Sequence, residues 1–108
     1  GLAYSFIRLN RNSEAMEQLN ILVAQHPDSA AVYVARADLS KVMKQYDAAL
    51  LDLDEAIRLA PADANHYVAK AELLIMNKKK KEARKMLDKA TRLGVSRYAL
   101  KEWYEKCR

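Results

Sequence analysis

Histidine, cysteine and clustered carboxylates are the side chains of this 108-residue chain that could act in catalysis or bind a metal. Its two histidines, His26 and His66, lie far apart and have no spacing typical of a metal site. The sequence contains no glycine-rich phosphate loop, no nucleophile elbow and no cysteine–histidine pair. We therefore expect no enzyme activity, no metal site and no cofactor.

The remaining reactive groups do not change this interpretation. Asp52, Asp54 and Glu55 are expected on a solvent-facing surface, where carboxylates increase solubility. Cys107 is the single cysteine, which excludes an internal disulfide framework and gives slight support to a reducing compartment. No run of about 18 apolar residues is present, so the sequence predicts no transmembrane segment.

A run of lysines is the strongest charge feature. The segment from Lys78 to Arg92 carries eight basic and two acidic side chains, a net charge of +6 against +5 for the whole chain. Such a patch attracts nucleic acid or an anionic membrane surface. The alternative is that the lysines cover a solvated turn and that the helix beyond them lies beside an acidic neighbour. No glycine or aromatic residue interleaves with the basic ones, so nucleic acid is not the expected partner. The residues of this basic patch are Lys78, Lys79, Lys80, Lys81, Arg84 and Lys85.

Helices must position all of these side chains. The chain has only two Gly and two Pro, and good helix formers dominate its composition. Its sequence also repeats itself at a constant interval. The matched pairs are Tyr33 and Tyr67, Ala37 and Ala71, Ala49 and Ala83, Leu53 and Leu87, and Ala56 and Ala90. A shorter first copy contributes Ala3, Ala15, Leu19, Leu22 and Pro27.

A period of about 34 residues, with small residues in two helical stretches and a closing proline, resembles the tetratricopeptide repeat (TPR) family. The resemblance covers roughly residues 2–95. It implies an all-α fold, a right-handed superhelix of antiparallel helix pairs with about seven helices. We expect the chain to be part of a larger protein. The expected units are a truncated first repeat (1–28), a second repeat (29–62), a third repeat (63–95) and a capping helix (96–108).

Local signals predict where the helices begin and end. We expect a first helix over residues 2–10 and a turn at Asn10 and Asn12. The second helix is expected to begin with Ser13 as its N-cap and to run to about residue 26. The remaining helices are expected at residues 29–44, 47–60, 63–77, 81–93 and 96–108.

Several side chains are expected to hold the stack together. The paired alanines allow close helix approach, and Tyr33 and Tyr67 are expected to pack between neighbouring units instead of binding a ligand. Asp63 should cap a helix at its start, and Gly94 should end one in a left-handed conformation. An apolar stripe is expected to cap the end of the stack: Leu100, Trp103, Tyr104 and Cys107.

The resemblance also implies a binding surface. In the TPR family the first helix of each pair lines a concave groove that holds a peptide or a partner helix. The implied groove surface is mainly apolar and carries both positive and negative side chains. Such a surface suits a peptide with hydrophobic anchors and few polar contacts. Asp38 and Glu72 could contact such a ligand or pair with neighbouring amines, and the sequence leaves both open. The implied groove residues are Tyr4, Arg8, Val34, Asp38, Lys41, Asn65, Val68, Glu72 and Met76.

One TPR subfamily binds a partner's C-terminal carboxylate through lysine, asparagine and arginine side chains. The matching positions here hold Tyr4, Ala35, Asn65 and Ala69. None of them is cationic, so we do not expect this activity.

The favoured interpretation is a non-catalytic interaction module whose partner is another protein or a peptide. A second hypothesis is a structural role, with homo-oligomer formation or interdomain packing through exposed repeat ends. It is based on Leu2, Phe6 and Leu9, an apolar face of the first helix. A third is binding of an anionic surface through the segment from Lys78 to Arg92.

Overall fold

A computed structural model describes the backbone of residues 2–108 and the side chains of residues 11–108. This part of the chain is all-α and contains no strand, as predicted. No helix within it is both long enough and apolar enough to cross a membrane. The helices are α1 (Leu2–Gln25), α2 (Ala30–Val42), α3 (Tyr46–Leu59), α4 (Ala64–Met76), α5 (Lys80–Arg92) and α6 (Lys101–Lys106).

The helices form a stack of neighbours. Helices α2 and α3 pack as one hairpin, α4 and α5 pack as a second, and α3 joins the two by packing on α4. Helix α1 packs on α2, and α6 packs on α4 and α5. Contacts therefore run mainly between elements adjacent in sequence, which is the arrangement of a repeat protein.

Buried alanines lie where the helices of each hairpin meet. Ala37 of α2 and Ala49 of α3 are buried in one cluster with Leu53 and with Leu73 of α4. The equivalent alanine pair of the second hairpin is buried in a cluster with Leu87. Because an alanine has only a methyl side chain, the helix backbones can approach closely there. The predicted role of the small residues is confirmed.

Tyr33 and Tyr67 are buried, as the sequence predicted, and each makes the same polar contact. The Tyr33 hydroxyl donates a hydrogen bond to the Pro27 carbonyl oxygen at 3.1 Å. The Tyr67 hydroxyl donates to the Pro61 carbonyl oxygen at 2.9 Å. Each tyrosine thus packs its ring in the stack and ties the start of its unit to the proline that ends the preceding helix.

Helix α1 is one continuous helix where the sequence predicted two helices. The predicted turn at Asn10 and Asn12 and the N-cap at Ser13 are therefore wrong. Residues 2–25 contain no Gly or Pro, and asparagine disfavours a helix by less than about 0.7 kcal/mol. Propagating an existing helix is easier than ending it and nucleating another. The described chain has six helices for this reason, close to the expected number.

The last helix is shorter than predicted. Helix α6 begins at Lys101 and not at Ser96, because residues 97–100 form a turn. The Ser96 side-chain oxygen accepts a hydrogen bond from the Tyr98 backbone N–H at 3.1 Å, which stabilises that turn. The predicted apolar stripe is nevertheless present, because Leu100 and Cys107 are buried in the core cluster of the second hairpin. Leu100 and Cys107 thus extend the apolar core of the second hairpin, and their role as a cap of the stack stays a prediction.

Helices α2 and α4 end in the same left-handed turn. Lys44 and Lys78 occupy equivalent positions of consecutive repeats and have φ angles of 61° and 62°. After α2, Gln45 N–H donates to the Ser40 carbonyl at 2.8 Å and Lys44 N–H donates to the Lys41 carbonyl at 3.0 Å. This is a Schellman motif, and α4 ends with the equivalent pair of bonds.

Two predicted caps are present. Gly94 has a φ of 114° and ends α5 with the bonding pattern of a Schellman motif, as expected for a glycine after a helix. The Asp63 carboxylate accepts a hydrogen bond from the Asn65 backbone N–H at 3.0 Å, so Asp63 is the N-cap of α4.

Asp52 is not on a solvent-facing surface, so that prediction is wrong for this residue. It is only 7% exposed and accepts two hydrogen bonds from Arg36 of α2. Arg36 Nε lies 2.9 Å from one carboxylate oxygen and Nη2 lies 2.6 Å from the other. The Asp52 hydrogen bonds raise the pKa of Arg36 above its ordinary value. Asp54 is exposed and Glu55 is partly exposed, as expected of both.

A second periodic contact sets the register between units. Side chains at equivalent positions of three consecutive units each accept a hydrogen bond from the residue sixteen positions later. The donor and acceptor pairs are Arg36 to Asn20 at 3.2 Å, Lys70 to Asp54 at 2.5 Å, and Tyr104 to Asp88 at 2.7 Å. Helix α6 therefore packs on α5 in the register in which α2 packs on α1 and α4 on α3.

The left-handed turn after α2 predicts a stabilising substitution. A residue with a side chain destabilises the folded state by roughly 1–2 kcal/mol when its backbone is left-handed. Glycine removes most of this cost, but it also increases the conformational entropy of the unfolded chain. Lys44→Gly should raise the free energy of unfolding by about 0.5–1 kcal/mol. Lys85→Gly, the same substitution inside α5, should lower it by about 1 kcal/mol. Urea unfolding measures both, and a loss of stability in Lys44→Gly equal to that in Lys85→Gly would contradict the assignment.

The Arg36–Asp52 contact predicts unequal effects of removing two carboxylates. Asp52→Asn should lower the free energy of unfolding by about 1–3 kcal/mol, because the amide keeps only one acceptor oxygen for Arg36 and loses the negative charge. The control is Asp54→Asn, which breaks the exposed Lys70–Asp54 pair and should change stability by less than about 1 kcal/mol. Thermal unfolding of both variants would measure this, and equal losses would argue against a buried role for Asp52.

Candidate functional site

The predicted groove residues that the structure describes lie on α2 and α4, and we call this surface the α2/α4 face. Lys41 Nζ of α2 lies 3.3 Å from Glu72 Oε1 of α4, so two predicted groove residues meet directly. Both side chains are partly exposed. The contact shows that the first helices of consecutive units lie side by side at this face.

The other predicted residues differ in exposure. Val34 and Val68 are partly buried, each against one of the two core clusters, and they give the face an apolar component. Asp38 on α2 and Asn65 and Met76 on α4 are all exposed. Tyr4 and Arg8 lie outside the residues whose side chains the structure describes.

The two acidic residues of the face have different surroundings. Glu72 pairs with Lys41, which is one of the alternatives that the sequence left open. Asp38 is exposed and forms no ion pair with any of the side chains at residues 11–108. The negative charge of the α2/α4 face is therefore concentrated at Asp38.

Sequence reasoning missed Val42, which is 60% exposed at the end of α2. It lies one repeat before Met76, which is 43% exposed at the end of α4. Shifting Met76 back by one repeat would have identified it. An apolar–acidic–apolar pattern thus occurs on both helices, with spacing i, i+4, i+8, which keeps each set on one face. The sets are Val34, Asp38 and Val42 on α2, and Val68, Glu72 and Met76 on α4.

All six residues of the basic patch are exposed. Among the described residues, none of its six cations forms an ion pair with a carboxylate. Lys80 donates to the Arg108 carbonyl oxygen and Arg84 donates to the Cys107 carbonyl oxygen, each at 3.3 Å. Binding of an anionic surface by this patch stays a prediction.

Arg84 also lines an open cleft of about 500 Å³ between α5 and α6, which we call the C-terminal cleft. The Arg97 guanidinium lies over the Tyr104 ring, 5.5 Å from its centre. Burial raises the pKa of Tyr104, whose hydroxyl donates to Asp88 at 2.7 Å. The lining consists of four cations, two carboxylates and one tyrosine: Arg84, Arg97, Lys101, Arg108, Asp88, Glu105 and Tyr104.

Cys107 and His66, two side chains considered for catalysis or metal binding, are both buried. Cys107 is buried, and desolvation raises the pKa of its thiol, which reduces its nucleophilicity at neutral pH. His66 is buried in the first turn of α4, with Nε2 3.5 Å from Asp63 Oδ2. No group of three His, Cys, Asp or Glu side chains within the described residues could hold a metal ion.

Comparison with known proteins gives the class of the molecule. A family model for the tetratricopeptide repeat matches residues 1–29. The fold is similar to that of the TPR2B domain in the TPR2B-domain:pHsp70 complex of yeast Sti1, with a TM-score of 0.81 and 22% identity. That match covers 96% of this chain and 88% of the other. The resemblance to the TPR family is confirmed, and the protein has the TPR fold.

Two further solved structures share the fold. YrrB, described as a TPR protein with an unusual peptide-binding site, matches with a TM-score of 0.74 and 23% identity, over 85% of this chain and 47% of YrrB. The Yersinia enterocolitica type III secretion chaperone SycD, in complex with a peptide of the translocator YopD, matches with a TM-score of 0.74 and 18% identity. That match covers 98% of this chain and 81% of SycD. No curated protein sequence matches the chain significantly.

Proposed function

We propose that the protein is a non-catalytic interaction module whose α2/α4 face binds an extended peptide or a partner helix. The main support is the repeated pattern of exposed or partly exposed apolar and acidic side chains on α2 and α4. Val42 and Met76 offer two apolar contacts at one end of the face, and Asp38 offers a carboxylate beside them. The peptide complex of SycD supports this class of function for the fold.

The charges of the face favour one kind of ligand. Lys41 already compensates the charge of Glu72, whereas Asp38 forms no ion pair with the side chains that the structure describes. A basic side chain placed between two apolar ones can pair with Asp38 while its neighbours pack on Val42 and Met76. Because most binding energy comes from a few central contacts, two apolar anchors and one charge pair are enough for a specific but moderate affinity.

Selection of peptides tests this proposal. Random peptides displayed on phage and selected on the 108-residue chain should be enriched in a Lys or Arg flanked by apolar residues. Val42→Glu and Asp38→Lys should each weaken binding of a selected peptide by about tenfold or more. The first puts a charge against an apolar side chain of the peptide, and the second repels its basic side chain.

Leu51→Glu is the matched control for Val42→Glu. Leu51 is 68% exposed and lies on α3, the second helix of its hairpin, outside the α2/α4 face. Titration of the labelled peptide by fluorescence anisotropy should show no loss in this variant. Equal losses in Leu51→Glu and Val42→Glu would refute binding at the α2/α4 face.

One observation favours self-association as a second candidate. Leu22 of α1 is 39% exposed, whereas Ala56 and Ala90, at the equivalent positions of later units, are 0% exposed. Ile21 beside it is also exposed. An exposed apolar surface of this kind is a candidate contact surface, and a second copy of the chain would cover it.

Sedimentation tests the second candidate. The molar mass should rise with concentration in the parent chain and stay at the monomer value in Leu22→Glu, because a buried carboxylate opposes an apolar contact. Leu51→Glu, with the same change on α3, should associate like the parent chain. A parent chain that stays monomeric at every concentration would contradict self-association through α1.

A further inference from the structure

The C-terminal cleft lies where residues 101–108 keep the register of the repeats but not their apolar residues. The contact of Tyr104 with Asp88 places α6 against α5 as the contact of Lys70 with Asp54 places α4 against α3. One period after the buried residues Tyr67, Ala71 and Leu74, the sequence has Lys101, Glu105 and Arg108. Charged side chains do not pack into the core as their apolar counterparts do, and a cleft opens beside them.

The side chains that line the cleft carry a net positive charge. Asp88 already accepts a hydrogen bond from Tyr104 and lies 4.0 Å from Arg97. Glu105 is the other carboxylate of the lining. Within residues 11–108, the remaining cations Arg84, Lys101 and Arg108 form no ion pair with a carboxylate side chain. An anionic ligand would therefore meet an excess of positive charge along the lining of the cleft.

The volume of the cleft and the Tyr104 ring in its lining restrict what can bind. A volume of about 500 Å³ is within the range of about 300–1,000 Å³ that is typical of ligand sites. The Tyr104 ring, with the Arg97 guanidinium over it, gives a flat wall beside the cations. A recessed cleft admits a narrow chain more easily than a flat membrane surface or a wide duplex.

We propose that the C-terminal cleft binds an acidic peptide segment, whose carboxylates pair with Arg84, Lys101 and Arg108. The basic patch continues from Arg84 along the start of α5 and extends the attractive field beyond the cleft. Arginine matches the planar geometry of a carboxylate, and lysine adds a point charge. This site is separate from the α2/α4 face, and the proposal does not depend on peptide binding there.

A labelled glutamate peptide is the probe for this site. Fluorescence anisotropy should show binding to the 108-residue chain at low ionic strength, with an affinity that falls as salt is added. A glutamine peptide of the same length should not bind. Lys101→Glu should weaken the glutamate peptide by about tenfold, because it reverses a charge that the structure leaves unpaired. Arg97→Gln should also weaken it, because Asp88 then loses its nearby cation and repels the peptide carboxylates.

Arg58→Glu is the matched control, since it changes the net charge of the chain by the same amount. Arg58 is exposed on α3 and pairs with Glu55. Its reversal should leave the affinity within about twofold, because exposed charges far from the ligand are screened. A loss in Arg58→Glu as large as that in Lys101→Glu would overturn the proposal, since it would indicate attraction to net charge alone.

Two further arms separate the possible anions. A phosphoserine peptide that competes with the glutamate peptide would support a site for acidic peptides of either kind. Duplex DNA that binds while the glutamate peptide does not would overturn the proposal in favour of a nucleic-acid surface. Circular dichroism of Lys101→Glu and Arg97→Gln should match that of the parent chain, so that a loss of binding is not a loss of folding.

Discussion

Close approach of the two helices in each hairpin is the constraint on which the structure depends. Ala37 packs in one cluster with Ala49, and the equivalent pair is Ala71 and Ala83. A larger side chain at any of these positions would separate the helices and cost roughly 1–3 kcal/mol. The separation would also shift Leu53, which fills the space between its own hairpin and α4. The alanines therefore control both the packing inside a unit and the packing between units.

Polar contacts then fix how one unit sits on the next. Tyr67 ties α4 to the carbonyl of Pro61, and Lys70 on the same helix contacts Asp54 of the preceding unit. Apolar packing alone is tolerant of small rotations, whereas hydrogen bonds require a narrow range of distances and angles. The α2/α4 face depends on this register, because Lys41 reaches Glu72 only when the two helices lie at the correct offset.

The periodic part of the fold could be predicted from the sequence because each position was represented twice. Tyr33 with Tyr67 and Ala49 with Ala83 are informative because local propensity alone would not place the same residue in both copies. The groove residues Lys41 and Glu72 followed from helical phase, and the structure brings them together. Their contact, however, joins residues 31 positions apart, and no local pattern predicts it.

The predictions that were wrong concern residues whose surroundings differ from one unit to the next. Asp52 looked like a solubilising carboxylate, yet the next unit has Met86 at the equivalent position, partly buried. That mismatch was a signal that Asp52 lies at an inward position and needs a partner, which Arg36 provides. In α1 the asparagines indicated a turn, but a local turn signal of this size is weaker than helix propagation without Gly or Pro.

We expect function at positions whose residue type the core does not constrain. A residue such as Leu53 packs between two hairpins, so its identity is constrained from both sides. Val42 and Lys101 are exposed, and no core packing accounts for their side chains. Their chemistry is therefore free to serve the proposed partners, with apolar and acidic groups at the α2/α4 face and cations in the C-terminal cleft. A repeat protein can in this way carry two different recognition surfaces on one core, because the core requires neither of them.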